Sequence, residues 1–317
     1  MQCLFVIDPI ESLNIHMDSS FAVMLEAQVR GHEVFYCHIG DLRLEQARPL
    51  ADARSVKLRA VDGNHYTAAT AQSIELSEFD AVFMRKDPPF NMEYIFATYI
   101  LEAAEPGTLI VNRASSLRSH NEKLYALQFP SFCPESMVSS KRNAIIDFQN
   151  RLNDCVVMKP LDGNGGEGIF IVRPDDLNRN VIIEQSTRHG RRPILVQRYL
   201  PEAKAGDKRI LIIDGEFEGA VLRVPSGADP RGNLHVGARS VKTELTARER
   251  QLVAKLGPQL RDDGHIFVGI DVIGECLTEI NVTSPTGIHE VNELDGRWVQ
   301  GRILDAVERR VKVAPIP

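Results

Sequence analysis

The sequence has no paired-cysteine pattern, no long apolar run and no strong charge of either sign. Its five cysteines, Cys3, Cys37, Cys133, Cys155 and Cys276, are odd in number and scattered. They form no CxxC pair that would point to zinc or dithiol chemistry, and thiols of this kind fit a reducing, cytoplasmic setting. No segment reaches the roughly 18 apolar residues that a membrane span needs. The start, MQCLFVIDP, runs directly into a strand pattern without a basic or small-residue signal. A net charge of −6 and a pI near 5.9 give no bulk electrostatic reason to expect nucleic acid or an anionic membrane as partner. What remains is an ordinary soluble composition, 43% hydrophobic and 25% charged, over 317 residues. That length allows two or three domains, each with its own core.

The first third alternates strand and helix patterns: CLFVID, DSSFAVMLEAQVRG, EVFYCHI, FDAVFMR, NMEYIFATYILEAAE and TLIVN. Such alternation predicts an α/β domain on a mostly parallel sheet. Asp18 and Ser19 are capping candidates for the first helix, and Phe21, Met24, Leu25 and Val29 recur at helical spacing. Residues 41–78 carry no clear pattern. From HNEKLYALQF onward the chain changes to short strand and helix pieces. RILIIDGEFEGAVLRV reads as two strands joined at Asp214-Gly215 by a type I′ turn. PSGADPRGNLHVGARSV, residues 225–241, has no apolar periodicity and is expected to be a lid over the substrates. TARERQLVAKLGPQL and RILDAVERRV are expected to be helices.

MKPLDGNGGEGIFIV, residues 158–172, matches GxGxxG at Gly163, Gly165 and Gly168. The pattern marks a dinucleotide-binding turn only when a helix follows. Here IFIV follows, a β-branched and aromatic run, and a helical pattern begins only near Pro174. No GK[ST] closes the stretch, so a Walker loop is also excluded. It reads instead as a long glycine-rich hairpin loop with Lys159 at the end of its first strand. Backbone N–H groups of such a loop can close over phosphate oxygens without obstruction by a Cβ.

In the hairpin GIDVIGECLTEIN, Glu279 and Asn281 share a face because strand side chains alternate. A turn centred on Glu275 sets Asp271 opposite Glu279, with Cβ atoms about 4.5–5.5 Å apart. Two carboxylates and an amide oxygen are hard ligands suited to Mg²⁺ when nucleotide phosphates complete the octahedron. An exposed, acidic strand face is the alternative, but the hairpin is otherwise apolar. Lys123 and Lys159 can meet phosphates, and Arg209 can stabilise charge on a transferred phosphoryl group. No nucleophile motif such as GxSxG occurs, which favours a reaction without a covalent enzyme intermediate.

Blocks such as MRKDPPFNMEYIFATYILE, NEKLYAL, KPLDGNGGEGIF, VQRYLP, GDKRIL, PRGNLHVGAR, VGIDVIG and LTEINVTSPTGI, in this order, resemble the ATP-grasp superfamily and more closely the bacterial glutathione synthetases. The resemblance spans the chain apart from roughly residues 45–78. It implies an α/β and α+β architecture: an N-terminal α/β parallel-sheet domain (1–122), then an ATP-grasp domain of two α+β subdomains, one with the glycine loop (123–200) and one with metal site and lid (201–317). It implies a ligase that joins glycine to γ-glutamylcysteine with ATP, using Mg²⁺ or Mn²⁺, and a homo-oligomer, commonly a tetramer. ATP would lie beneath Gly165 and Gly166, with Lys123 and Lys159 on its phosphates. Gln197, Tyr199 and Leu200 would meet adenine, and Asp207 the ribose. Asp271, Glu279 and Asn281 would hold metal, Arg209 and Arg231 would be catalytic, and Arg85, Arg239, Ser284 and Thr286 would meet the peptide substrate. DPPFN, with Asn91, and GARSV depart from the usual pattern. Two rivals stay open at this point: another ATP-grasp ligase, of the glutamate-adding or D-alanine-joining type, and a catalytically silent ATP-binding module.

Overall fold

A computed structural model of the chain describes residues 1–225 and 239–313. Arg231 and most of the expected lid lie outside the described residues. The first part of the chain contains β1 (Gln2–Val6), α1 (Ser19–Val29), β2 (Glu33–Cys37), β3 (Leu42–Glu45), β4 (Arg48–Leu58), β5 (Tyr66–Ala68), β6 (Gln72–Glu75), β7 (Ala81–Met84), α2 (Met92–Glu102) and β8 (Leu109–Val111). They form one eight-stranded sheet in the order β3-β4-β2-β1-β7-β8, with β5 and β6 also paired to β4. β2, β1, β7 and β8 are mutually parallel, as the alternation predicts. The unassigned stretch 41–78 supplies the antiparallel strands β3 to β6.

Side-chain caps start the helices where the sequence offers them. Asp18 accepts from the Phe21 N–H at 2.7 Å at the head of α1. Asn91 does the same for Tyr94 at 3.1 Å on α2. Asparagine and aspartate cap about equally well, so the DPPFN departure preserves a helix start.

The middle of the chain holds α3 (Ala114–Ser119), α4 (Glu122–Ala126), β9 (Ser136–Ser139), α5 (Arg142–Leu152), β10 (Val156–Pro160), β11 (Phe170–Val172), α6 (Arg179–Ser186) and β12 (Ile194–Arg198). Its sheet runs β11-β10-β12-β9. β10 and β11 are antiparallel neighbours, so the glycine stretch is a hairpin loop as expected. The helix after it begins at Arg179, later than the pattern near Pro174 predicts.

The last part holds β13 (Asp207–Ile213), β14 (Glu216–Val224), β15 (Arg239–Lys242), α7 (Ala247–Asp262), β16 (Phe267–Ile273), β17 (Cys276–Asn281), α8 (Ile288–Asp295) and α9 (Val299–Val313). Its sheet order is β15-β14-β13-β16-β17. Asp214 and Gly215 both have positive φ, +50° and +78°, as a type I′ turn requires. Residues 239–241, expected to be loop, instead begin β15 on the sheet edge. α7 opens with a capping box between Thr246 and Glu249.

The middle sheet has its own small core of Ile145, Phe148, Val156, Met158, Val172, Ile183, Ile194 and Val196. The first and last sheets instead share two cores. One joins Val82 and Ile110 to Ile210, Leu256 and Ile280; the other joins Phe5 and Phe83 to Leu211, Phe267, Ile303 and Val307. Among the described residues no helix is long and apolar enough to cross a membrane.

Candidate active site

β16 and β17 bring together the three residues singled out on the last hairpin. Asp271 pairs with Glu279, as predicted, but by a different route. The turn has two residues, Gly274 and Glu275, and on a regular ladder it would set Asp271 opposite Thr278. A bulge intervenes after Asp271, and the Thr278 hydroxyl donates to the Asp271 carbonyl at 3.0 Å. The extra residue restores the Asp271–Glu279 register and re-aims the strand beside the site.

These residues line a cavity of about 660 Å³ between the middle and last sheets. The glycine loop forms one side of it, through Gly163, Gly165 and Gly166. Gly165 and Gly166 adopt φ of +61° and +82°, conformations open to glycine at little cost. Lys123, from α4, donates to the Gly163 carbonyl at 2.6 Å and stands 3.5 Å from Glu279. It thus ties the loop to the acidic hairpin. Lys159, at the end of β10, is buried. Burial pushes its ammonium below the usual lysine range, while Glu279 opposes the shift. Among the described residues no carboxylate is ion-paired with it, so an anion entering the cavity would find an underused cation.

β12 and the chain after it give the cavity Gln197, Tyr199 and Leu200, and the start of β13 gives Asp207 and Arg209. Gln197 is buried and donates to the Ser136 hydroxyl at 3.0 Å. Ser284 and Thr286 line the same cavity from the segment after β17.

The arginines form the most strongly charged part of the site. Arg209 grips both oxygens of Asp271 at 2.6 and 3.1 Å. Arg223, on β14, bonds both oxygens of Asp207 at 2.8 and 2.6 Å and lies 3.0 Å from Asp271. Burial alone would raise the Asp271 carboxyl, yet the two guanidiniums hold it below the usual carboxylate range. Burial dominates at Asp207 and raises it, with Arg223 opposing. Arg223 was not legible as a site residue from motifs, although one signal exists. That signal is a charge inside an otherwise apolar strand, which is unusual; its partner was hidden, because a regular ladder from the Asp214-Gly215 turn sets Leu222 opposite Asp207 and a register shift between Leu211 and Ile212 brings Arg223 there instead. Glu122 was also missed. Its carboxylate accepts from the Val282 and Thr283 backbone and the Thr283 hydroxyl at 2.8–3.1 Å, which fixes α4, and so Lys123, against the end of β17.

Two expected substrate residues are not in the cavity wall. Arg85 is buried behind it, donating to the Ser20 hydroxyl and to the Pro285 carbonyl at 3.0 Å each. It thereby supports the segment that carries Ser284 and Thr286. Arg239 is exposed at the start of β15, opposite Val224.

The donor set suits a hard divalent cation. Asn281 spends its amide N–H₂ on the Gly269 carbonyl and the Asp271 carboxylate, both at 3.2 Å, leaving its oxygen as a ligand. Glu279 has Lys123, at 3.5 Å, as its ion-pair partner among the described residues, which leaves carboxylate lone pairs for a ligand. Among the described residues no group of three or more His, Cys, Asp or Glu side chains could hold a metal by itself. One carboxylate and one amide oxygen are hard ligands of the kind Mg²⁺ takes, with phosphates and water completing its shell.

The family description "Prokaryotic glutathione synthetase, N-terminal domain" matches residues 1–118, and "Prokaryotic glutathione synthetase, ATP-grasp domain" matches residues 122–296. The chain belongs to the prokaryotic glutathione synthetase family. Within this family, the glutathione synthetase of Gloeobacter violaceus is 47% identical over 311 residues, 96% of each chain. That of Vibrio parahaemolyticus is 48% identical over 309 residues, 97% of this chain and 98% of the relative. Solved structures of lower identity share the ATP-grasp fold. A RimK domain protein from Sphaerobacter thermophilus has a TM-score of 0.61 at 20% identity, over 97% of this chain and 100% of its own. The D-cycloserine synthetase DcsG has a TM-score of 0.65 at 16% identity, over 98% and 99%. At such identities the likeness speaks for the fold alone.

Proposed function

We propose that this protein is an ATP-dependent carboxylate–amine ligase that joins glycine to γ-glutamylcysteine, giving glutathione, ADP and phosphate. The observation that carries this reading is near-full-length identity of 47–48% to glutathione synthetases, together with a cavity lined by Lys123, Lys159, Arg209, Asp207, Asp271 and Glu279. The rival ATP-grasp ligases and the silent module are not favoured: family membership runs through both halves of the chain, and Asp271, Glu279 and Asn281 are all retained.

The chemistry follows from the residue types. A carboxylate does not react with an amine at neutral pH, so its oxygen first attacks the γ-phosphorus of ATP, releasing ADP and forming an acyl phosphate. The glycine amine then attacks the acyl carbon, and phosphate departs with the original carboxylate oxygen. Transfer between anions demands positioning and charge neutralisation. Lys123 and Lys159 bind phosphates, with Gly165 and Gly166 closing over them. Arg209 neutralises charge on the transferring group, and Arg231 assists in this reading on the strength of the resemblance. Gln197, Tyr199 and Leu200 receive adenine, and Asp207, oriented by Arg223, receives ribose. Ser284, Thr286 and Arg239 receive the peptide, and Arg85 acts by holding the segment of Ser284 and Thr286. Glu279 and Asn281, with Asp271 beside them, would hold Mg²⁺ or Mn²⁺. When bound, such an ion neutralises phosphate charge.

The three sheets support working units at 1–122, 123–200 and 201–317. Five free thiols suit a cytoplasmic setting, and a homotetramer is the assembly that the resemblance favours. The direct test of the acyl phosphate uses γ-glutamylcysteine labelled with ¹⁸O in its cysteinyl carboxylate. One labelled oxygen should appear in the released phosphate at each turnover. Phosphate without label would sink the mechanism.

A further inference from the structure

At neutral pH glycine arrives as an ammonium, which has no lone pair, so a base beside the acyl phosphate must take a proton before the nitrogen attacks. Among the described residues, the acids that line the cavity are Asp87, Glu122, Glu167, Asp207, Asp271 and Glu279. Asp207 and Asp271 are gripped by Arg223 and Arg209, and Glu279 pairs with Lys123 on the hairpin assigned to the metal. Asp87 and Glu167 are exposed, and among the described residues both bond through backbone atoms alone, so nothing aims their carboxylates. Glu122 differs from all of these. Its Oε1 accepts all three of its hydrogen bonds, from the Val282 and Thr283 N–H groups and the Thr283 hydroxyl. Its Oε2 has no partner among the described residues and is not among their sealed, unpartnered atoms. The side chain is half-buried and lines the cavity. One oxygen is therefore anchored and the other is open to the cavity.

We propose that Glu122 is the general base of the ligation step, an assignment that rests on the ligase reading above. Its place agrees with the chemistry. Glu122 precedes Lys123, assigned to phosphate, and is anchored on Thr283, which precedes Ser284, assigned to the peptide. The junction of phosphate and peptide is where the acyl phosphate forms. Burial raises the Glu122 carboxyl above the usual range, with the Thr283 bonds opposing, and a raised carboxyl is the better proton acceptor. In the step itself the open oxygen of Glu122 takes one proton from the glycine ammonium. The freed nitrogen pair forms the bond to the acyl carbon, and the bond from that carbon to the phosphate oxygen breaks. The departing phosphate keeps the electron pair, takes the second proton lost by the nitrogen and leaves as hydrogen phosphate. Glu122 then gives its proton to water before the next turnover.

Hydroxylamine separates a base from a group that only positions its neighbours, because it is unprotonated at neutral pH and attacks an acyl phosphate without losing a proton first. Glu122→Gln keeps the shape and an oxygen for the three donors. Its glycine-dependent glutathione formation should fall by at least about 100-fold, the scale of a general base. Hydroxamate formation by the same variant from ATP, γ-glutamylcysteine and hydroxylamine should stay near that of the wild type. Scrambling of ¹⁸O out of the β,γ-bridge of ATP, with γ-glutamylcysteine and no glycine, reads acyl phosphate formation alone and should persist. Glu122→Asp withdraws the open oxygen by one methylene and should show the same contrast between the two amines, which keeps the test available where the glutamine variant does not fold. Near-native turnover with glycine, or equal losses with glycine and hydroxylamine, would overturn the proposal. A wild type that makes no glutathione would overturn the ligase reading and this proposal with it, whereas a defect confined to the variants leaves that reading intact.

Discussion

Glu279 carries an acidic charge in the cavity whose ion-pair partner among the described residues is Lys123, 3.5 Å away and also bonded to the glycine loop. Glu279→Gln keeps the shape and removes the charge. We expect kcat to fall by at least about 100-fold, the scale for losing one electrostatic contact made in the transition state, with the circular dichroism spectrum unchanged. Near-native turnover at low magnesium would reduce the hairpin to a decorated strand. His265 makes a different prediction. Burial, with His120 beside it, drives this histidine from 6.5 down to about 3. Below pH 6.5 the unfolded chain takes up a proton there and the folded chain does not. The contribution is therefore complete above that pH and is lost as pH falls toward the folded value. Urea midpoints should fall through that window in the wild type and fall less steeply in His265→Gln. Parallel slopes would contradict the assignment.

At the scale of elements, the turn between β13 and β14 rests directly on α7. A Cβ on Gly257 would run into the Gly215 carbonyl, and one on Gly215 into the Gly257 carbonyl. Gly257→Ala should cost about 1–3 kcal/mol, as overpacking does, with the substrate KM values unchanged. Chemical denaturation of both proteins measures it, and an unchanged midpoint would mean that α7 shifts freely. The turn itself was legible, because Asp-Gly between two apolar runs is a local signal. So was the glycine hairpin, where IFIV after Gly168 ruled out a helix. β4 was not legible: RPLADARSVKL contains proline, alanine and aspartate, residues poor in strands. It is held by pairing with β2, β3, β5 and β6, partners that no local window contains. The bulge at Thr278 was equally hidden, and the register of Asp271 and Glu279 was inferred from a turn centre that the structure replaces with a two-residue turn plus an extra residue.

Over the whole molecule, α9 returns from the last sheet to the first. Arg30 of α1 bonds Asp305 and Glu308 of α9 at 2.9 and 3.1 Å, and two cores run through both sheets. The middle sheet has a separate core, and the cavity lies along its boundary with the last sheet. The change of pattern near residue 120 was visible in the sequence; the shared cores were not, since apolar periodicity tells which face is buried and not against what. The ligase assignment is tested most directly by measuring ADP and phosphate release with candidate acceptors. Full turnover should require γ-glutamylcysteine and glycine together and yield one glutathione per ADP. Turnover with D-alanine, or with glutamate and a protein tail, and none with that pair, would contradict the account.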